Sequence, residues 1–253
     1  MTPIDDNSQL KARAHRVPAH ELPKTYADVE AASRVKTPHR IYILMRRTFD
    51  VVVSSLALAL FGLFLPLIAL AIKIDSRGPV FYTQSRIGHD RRRREHFTAG
   101  PERRKIIYPG HPFRIFKLRT MRTDAEKNGP QLATEGDCRV TRIGHLLRMS
   151  RIDEVPQFIN VLLGQMTLIG PRPERLCFVR KYEMGIPGYC DRLAVTPGIT
   201  GLAQVNNGYD EDLASVRRKL MFDRFYINRS SWKLDIRILI STVRVVLTGE
   251  GAR

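Results

Sequence analysis

VVVSSLALALFGLFLPLIALAI, residues 51–72, contains no charged side chain. As a straight helix it would measure about 33 Å at 1.5 Å per residue, enough to cross a hydrocarbon core of about 30 Å. A run this uniformly apolar has no polar face to turn to water, so a bilayer is its natural surrounding. A buried core helix is the plain alternative. Both flanks are basic: Arg40, Arg46 and Arg47 precede the run, and Lys73, Arg77, Arg86 and Arg91–Arg94 follow it. Basic flanks stay on the cytoplasmic side, and a single span would have to carry one of them across. Pro66 interrupts the run, removing a helical hydrogen bond and crowding the preceding turn. A re-entrant hairpin broken at Pro66, returning to the face it entered, satisfies both observations; a plain span remains the alternative. The backbone groups freed at the break would need partners within the protein, because hydrocarbon has none.

Outward from this segment the chain is polar and basic. Lys and Arg number 42 against 25 Asp and Glu, a formal charge of +17 over 253 residues. That excess predicts an anionic partner: nucleic acid, anionic lipid or phosphorylated substrates. A hydrophobic fraction of 43% excludes both full disorder and a polytopic membrane protein. Cys138, Cys177 and Cys190 form no CxxC pair, which argues against a disulfide framework and a structural zinc site. Residues 1–40 carry Pro3, Pro18, Pro23 and Pro38 without apolar periodicity and are expected to be a disordered tail. No signal peptide is expected, because the apolar run begins too far from the N-terminus.

Residues 41–76 are therefore assigned to the membrane hairpin and 77–253 to a cytosolic domain, with a basic insertion at about 90–110. The insertion is read either as a solvated loop or as a contact with lipid headgroups. The domain is expected to be α+β and helix-rich, with short strands. Pro79–Ser85 and Pro112–Met121 read as strands. Arg142–Met149 reads as a helix, and a second pattern starts near Asp153 and ends before Gly164. Trp232–Leu247 is amphipathic, with Arg237 and Arg244 opposite its apolar face. It is read either as an interface helix or as an ordinary packed terminal helix.

Candidate chemistry lies in three segments. In Arg148-Met-Ser-Arg151-Ile-Asp153-Glu154-Val-Pro156, two adjacent carboxylates follow two arginines. Neighbours in sequence do not share a helix face, so divided roles suit Asp153 and Glu154 better than a shared proton. A carboxylate can attack phosphorus, and nearby arginines hold it ionised and neutralise the developing charge. Taken alone, the same residues also fit an acidic first helical turn. In Gly170-Pro171-Arg172-Pro173-Glu174, the flanking prolines stiffen the backbone around an Arg suited to a bidentate grip on phosphate, or simply form a turn. Thr196-Pro-Gly198-Ile-Thr200-Gly201-Leu-Ala-Gln204-Val-Asn206 adds glycines and amides near a turn, without the P-loop pattern.

The order of these pieces is specific. FD50, the apolar run, GPVFYTQSRIG, PFRIFKLRTM, SRIDEVPQFINVLLGQMTLIGPRPE, TPGITGLAQVN and GEGA together resemble the bacterial sugar transferase family, the monotopic phosphoglycosyl transferases, over about Arg46 to Ala252. The resemblance implies transfer of a sugar-1-phosphate from a UDP-sugar to undecaprenyl phosphate, with release of UMP, at the start of exopolysaccharide, capsule or O-antigen assembly. It implies ping-pong chemistry through a phosphosugar–aspartate with Mg²⁺ (or Mn²⁺). Asp153 is the implied nucleophile, with Glu154 its partner at the metal. Arg172, between Pro171 and Pro173, is the implied phosphate ligand; Arg148, Lys117, Arg119 and Gln204 fall at further substrate-site positions. It also implies a catalytic domain on the cytoplasmic face of the bacterial inner membrane.

Three features depart from the family pattern. Leu65 stands where a Ser commonly precedes the membrane proline, the 90–110 loop is long, and without a multi-span N-terminal domain the sequence is expected to resemble the short form or a catalytic core. The expected partners are thus UDP-sugar, undecaprenyl phosphate and an anionic membrane, with self-association left open. The rivals are a membrane-tethered nucleic-acid-binding protein, for which zinc-finger, RNP and basic-zipper motifs are absent, and an inactive assembly scaffold. No nucleic acid is expected.

Overall fold

The computed structural model of the chain describes residues 40–90, 109–127, 129–131, 134, 136–207 and 212–248. The expected disordered tail, the Arg91–Arg94 run, most of the basic insertion and the terminal GEGA lie outside these residues.

Helix α1 (Arg40–Asp75) contains the apolar run and runs through Pro66 as one 36-residue helix, without the interruption expected there. Its apolar composition is long enough to cross a membrane. One side faces the rest of the protein. Asp50 and Ser54 are buried, Val53 packs on the main core, and Phe61, Leu65, Ile68 and Ile72 meet Leu118 and Leu147. The other side is bare: Val52, Leu56, Leu60, Leu63, Leu67, Leu70 and Ile74 are all at least half exposed. Leu65, the family departure, thus belongs to the packed side.

The two ends of α1 are tied to the same body. Near the start, the Tyr42 hydroxyl donates to Asp235 at 2.6 Å, and Arg47 donates to the carbonyls of Val161 and Leu162. Asp50 accepts from the Thr167 hydroxyl at 2.6 Å and from the Leu168 amide at 3.2 Å. At the far end, the Asp75 carboxylate accepts from the Ile143 amide at 2.9 Å.

The rest is α+β, helix-rich with short strands. Strands β1 (Phe81–Ile87) and β2 (Pro112–Leu118) pair antiparallel, Tyr82 opposite Lys117. β1 runs two residues later than Pro79–Ser85, and β2 stops before Arg119. Helix α2 (Arg142–Met149) has the expected bounds and is capped by the Thr141 hydroxyl, which accepts from the Gly144 amide. The pattern expected as one helix from Asp153 is divided into a 3-10 helix (Ile152–Gln157) and α3 (Phe158–Leu162). Pro156 is the physical reason, because it cannot donate to an α-helical ladder. Gly164 follows α3 at φ +70°, the left-handed position expected of a helix end.

Beyond α3 come β3 (Thr167–Ile169), α4 (Leu176–Gly185), a 3-10 helix (Tyr189–Ala194), β4 (Gly198–Thr200), α5 (Leu202–Asn206), α6 (Leu213–Arg229) and α7 (Trp232–Thr248). β3 and β4 pair in parallel. The main core gathers Val161, Met166, Leu168, Leu202, Phe222, Tyr226 and Ile238 around this pair. On α7, Ile236, Ile240, Val243 and Leu247 form an exposed apolar stripe, whereas Leu234 and Ile238 are buried. The helix is thus packed on its Leu234 and Ile238 side and keeps a bare apolar stripe besides.

Candidate active site

Asp153 and Glu154 occupy the first turn of the 3-10 helix. Arg151, just before it, adopts a left-handed backbone with φ 57°, the single non-glycine residue to do so among the described residues. That conformation disfavours residues with a Cβ, and turns the chain sharply into the helix. At three residues per turn, adjacent side chains diverge by about 120°, so the two carboxylates have different surroundings.

Glu154 is gripped by two cations. Lys117 Nζ lies 2.7 Å and Arg172 Nη2 2.6 Å from its Oε1. Burial alone would raise its pKa, but the charges of Arg172 and Lys117 win and hold its carboxyl well below the usual range. Asp153 stands further off, with its Oδ2 3.8 Å from Lys117 Nζ. Here burial dominates and raises the pKa; Lys117, Arg148 and Arg172 oppose it, and the Glu154 charge adds to it. One carboxylate is thus firmly paired, while its neighbour is buried and lightly held.

Three backbones place these groups. Lys117 comes from β2, tied to α3 by the fully buried Asn160, which accepts from the Phe116 amide and donates to the Arg114 carbonyl. Asp153 and Glu154 come from the turn before α3. Arg172 comes from the loop after β3, where Pro171 and Pro173 are buried and the Arg172 side chain keeps 31% exposure. Its guanidinium therefore pairs with Glu154 and still reaches the surface, as a ligand for an incoming phosphate would.

Two expected site residues make their hydrogen bonds to backbone carbonyls rather than to the two carboxylates. The Arg119 guanidinium donates to the carbonyls of Ser76 and Arg77, closing the C-terminal end of α1. Gln204 donates to the Ile199 carbonyl at 2.8 Å and serves the β4–α5 junction. Arg148 is intermediate: its Nε donates to the Thr120 hydroxyl at 2.9 Å while its charge acts on Asp153.

A buried ionic group behind the loop was not anticipated. Glu174 meets Lys219, and lies 3.6 Å from both Arg192 and Arg86. Burial would raise its pKa, but Lys219, Arg192 and Arg86 bring it down to about 2. Arg192 in turn pairs with Asp223 at 2.8 Å. The sequence offered little signal, because Arg192 follows Asp191 and Lys219 follows Arg217 and Arg218, so neither reads as a buried charge.

No group of three or more His, Cys, Asp or Glu side chains suited to a metal occurs among the described residues. Asp153 and Glu154 supply two hard oxygen donors, which fits Mg²⁺, an ion commonly held by one or two carboxylates with substrate phosphates and waters completing the shell.

A family model described as bacterial sugar transferase matches residues 41–249. The chain belongs to the bacterial sugar transferase family. It is 42% identical over 216 residues to a UDP-N-acetylgalactosamine-undecaprenyl-phosphate N-acetylgalactosaminephosphotransferase of Aeromonas hydrophila, covering 85% of this chain and 47% of that protein. It is 40% identical over 213 residues to a UDP-glucose:undecaprenyl-phosphate glucose-1-phosphate transferase of Caulobacter vibrioides, covering 83% and 72%. A transferase of the same description from Klebsiella pneumoniae is 38% identical over 205 residues, covering 80% and 40%. The chain thus spans under half the length of two of these family members and most of the third.

Proposed function

We propose that this chain is a phosphoglycosyl transferase that moves a sugar-1-phosphate from a UDP-sugar to undecaprenyl phosphate and releases UMP, initiating polysaccharide repeat-unit assembly. The observation that carries the reading is the convergence of Asp153, Glu154, Lys117 and Arg172. Family membership and the relatives' names support it.

In the proposed mechanism an Asp153 carboxylate oxygen attacks the phosphorus bonded to the sugar. A P–O bond forms to Asp153, the P–O bond to the UMP moiety breaks, and UMP leaves. An oxygen of the polyprenyl phosphate then attacks the same phosphorus, the Asp153–P bond breaks, and the carboxylate is restored. Arg172 and Lys117 neutralise charge on the phosphates, stabilising each transition state. Asp153 and Glu154 would hold Mg²⁺ (or Mn²⁺), which when bound supplies Lewis-acid stabilisation of the pyrophosphate oxygens.

The same proposal places α1 in the cytoplasmic leaflet of the bacterial inner membrane as a re-entrant element around Pro66, with the exposed stripe of α7 at the interface. Support comes from the two ends of α1, both anchored on one body, and from the bare leucine side between them.

Incubation with a UDP-sugar alone, read by intact mass, tests the covalent route. The wild type should gain the mass of one phosphosugar, and D153N none. An active enzyme with no adduct would overturn the mechanism.

A further inference from the structure

We propose that Arg192 is a positioning residue for Arg172, acting on phosphate transfer by fixing the backbone from which the Arg172 side chain departs. This rests on the reading of Arg172 as a phosphate ligand given above.

The loop Pro171-Arg172-Pro173 cannot hold itself. Two of its three residues lack an N–H, so its carbonyls depend on donors from outside. Each has one, and each donor comes from a different element. Pro171 O accepts from the Gly198 amide at 3.0 Å. Arg172 O accepts from Arg192 Nη2 at 2.9 Å. Pro173 O accepts from Arg86 Nη1 at 3.2 Å.

Arg192 is the best built of these anchors. Its side chain is 2% exposed, as is that of Asp223, which accepts from its Nε at 3.0 Å. Its Nη1 donates to the Tyr189 hydroxyl at 2.7 Å, and its guanidinium lies 5.1 Å from the centre of the Tyr189 ring. Burying such a charge is costly, and a well-packed apolar group would serve stability as well or better. What a planar fork adds is direction: several bonds fixed at once from one rigid group. One of them fixes the Arg172 carbonyl, and Arg172 reaches Glu154 from the backbone so fixed.

A double-mutant cycle on the full chain in detergent, assayed with UDP-sugar and undecaprenyl phosphate, tests this. R192K keeps the charge and loses the fork; R172K keeps a charge and leaves a measurable rate. R192K alone should lower kcat/KM for the UDP-sugar about 50-fold, the size expected of a small misplacement of a substrate-gripping group. In the R172K background the same change should cost less than about threefold, because groups acting as one unit are not additive. Y189F removes one bond from the guanidinium, should show a smaller loss with the same dependence on Arg172, and supplies the cycle if R192K does not fold. An equal loss in both backgrounds overturns the proposal, making Arg192 a component of the core only. An R172K enzyme as active as wild type would instead remove Arg172 from the phosphate site, and the positioning role with it.

Discussion

At the residue scale, two adjacent carboxylates are driven apart by their partners. Glu154 is held ionised by Lys117 and Arg172, while burial raises the pKa of Asp153 above the ordinary 3.8 of an aspartate. In the proposed mechanism Asp153 must be ionised to attack, so kcat/KM should fall on acidification with an apparent pKa above that value, measured as a pH–rate profile. Linkage has the opposite sign to the usual carboxylate case. The native state holds the Asp153 proton more tightly than the unfolded chain, so stability is lost as pH rises from 3.8 through the folded pKa. D153N should therefore be inactive yet melt a few degrees higher than wild type at neutral pH, as removal of a costly functional charge predicts. Arg119 is the contrasting residue. Its bonds go to the end of α1, so R119M should lower stability by about 2–4 kcal/mol through two stranded carbonyls. The molecules that remain folded should keep most of their specific activity, and a loss of activity without loss of stability would return Arg119 to the substrate site.

At the element scale, the parallel pair β3–β4 aims the Arg172 loop. Gly198 is packed so closely that a Cβ there would strike the Gly170 amide and, at 2.5 Å, the Thr200 carbonyl. G198A should therefore open the pair and reduce stability by about 3 kcal/mol, with activity falling alongside, checked by chemical denaturation and sugar-phosphate transfer. Much of this layer was legible in the sequence. Arg142–Met149 and the second strand followed from apolar periodicity, the first strand and the α1 apolar run from composition, while the pairing of the two strands was not read. β3 and β4 were not legible, because three residues buried on both faces have no period to read. Asp153, Glu154 and Arg172 stood out as motifs, whereas for Arg119 proximity in sequence to Lys117 does not translate into a bond to the same carboxylates. Lys117 and Arg119 lie two apart near the end of β2, yet one reaches Glu154 and the other the far end of α1. The buried Glu174–Arg192–Asp223 group spans 50 residues, a distance at which no local pattern operates.

At the scale of the whole molecule, the charge of +17 has distinct uses. Arg46 and Arg47 tie α1 to β3 and α3, Lys117 and Arg172 face the dyad, and Arg86, Arg192 and Lys219 lie in the group behind it. The bare leucines of α1 and the stripe on α7 leave apolar surface that water would not tolerate over such an extent. In the proposed account catalysis and membrane attachment would be joined in one body, because the 3-10 helix with Asp153 and Glu154 and helix α3 both contact α1. The most direct test uses the full chain in vesicles containing undecaprenyl phosphate, with a panel of UDP-sugars added to one side and UMP release measured. Wild type should release at most one equivalent of UMP without undecaprenyl phosphate and many equivalents with it, for at least one sugar, and D153N should release none. Undiminished release by D153N, or none by wild type with any UDP-sugar, would contradict the account.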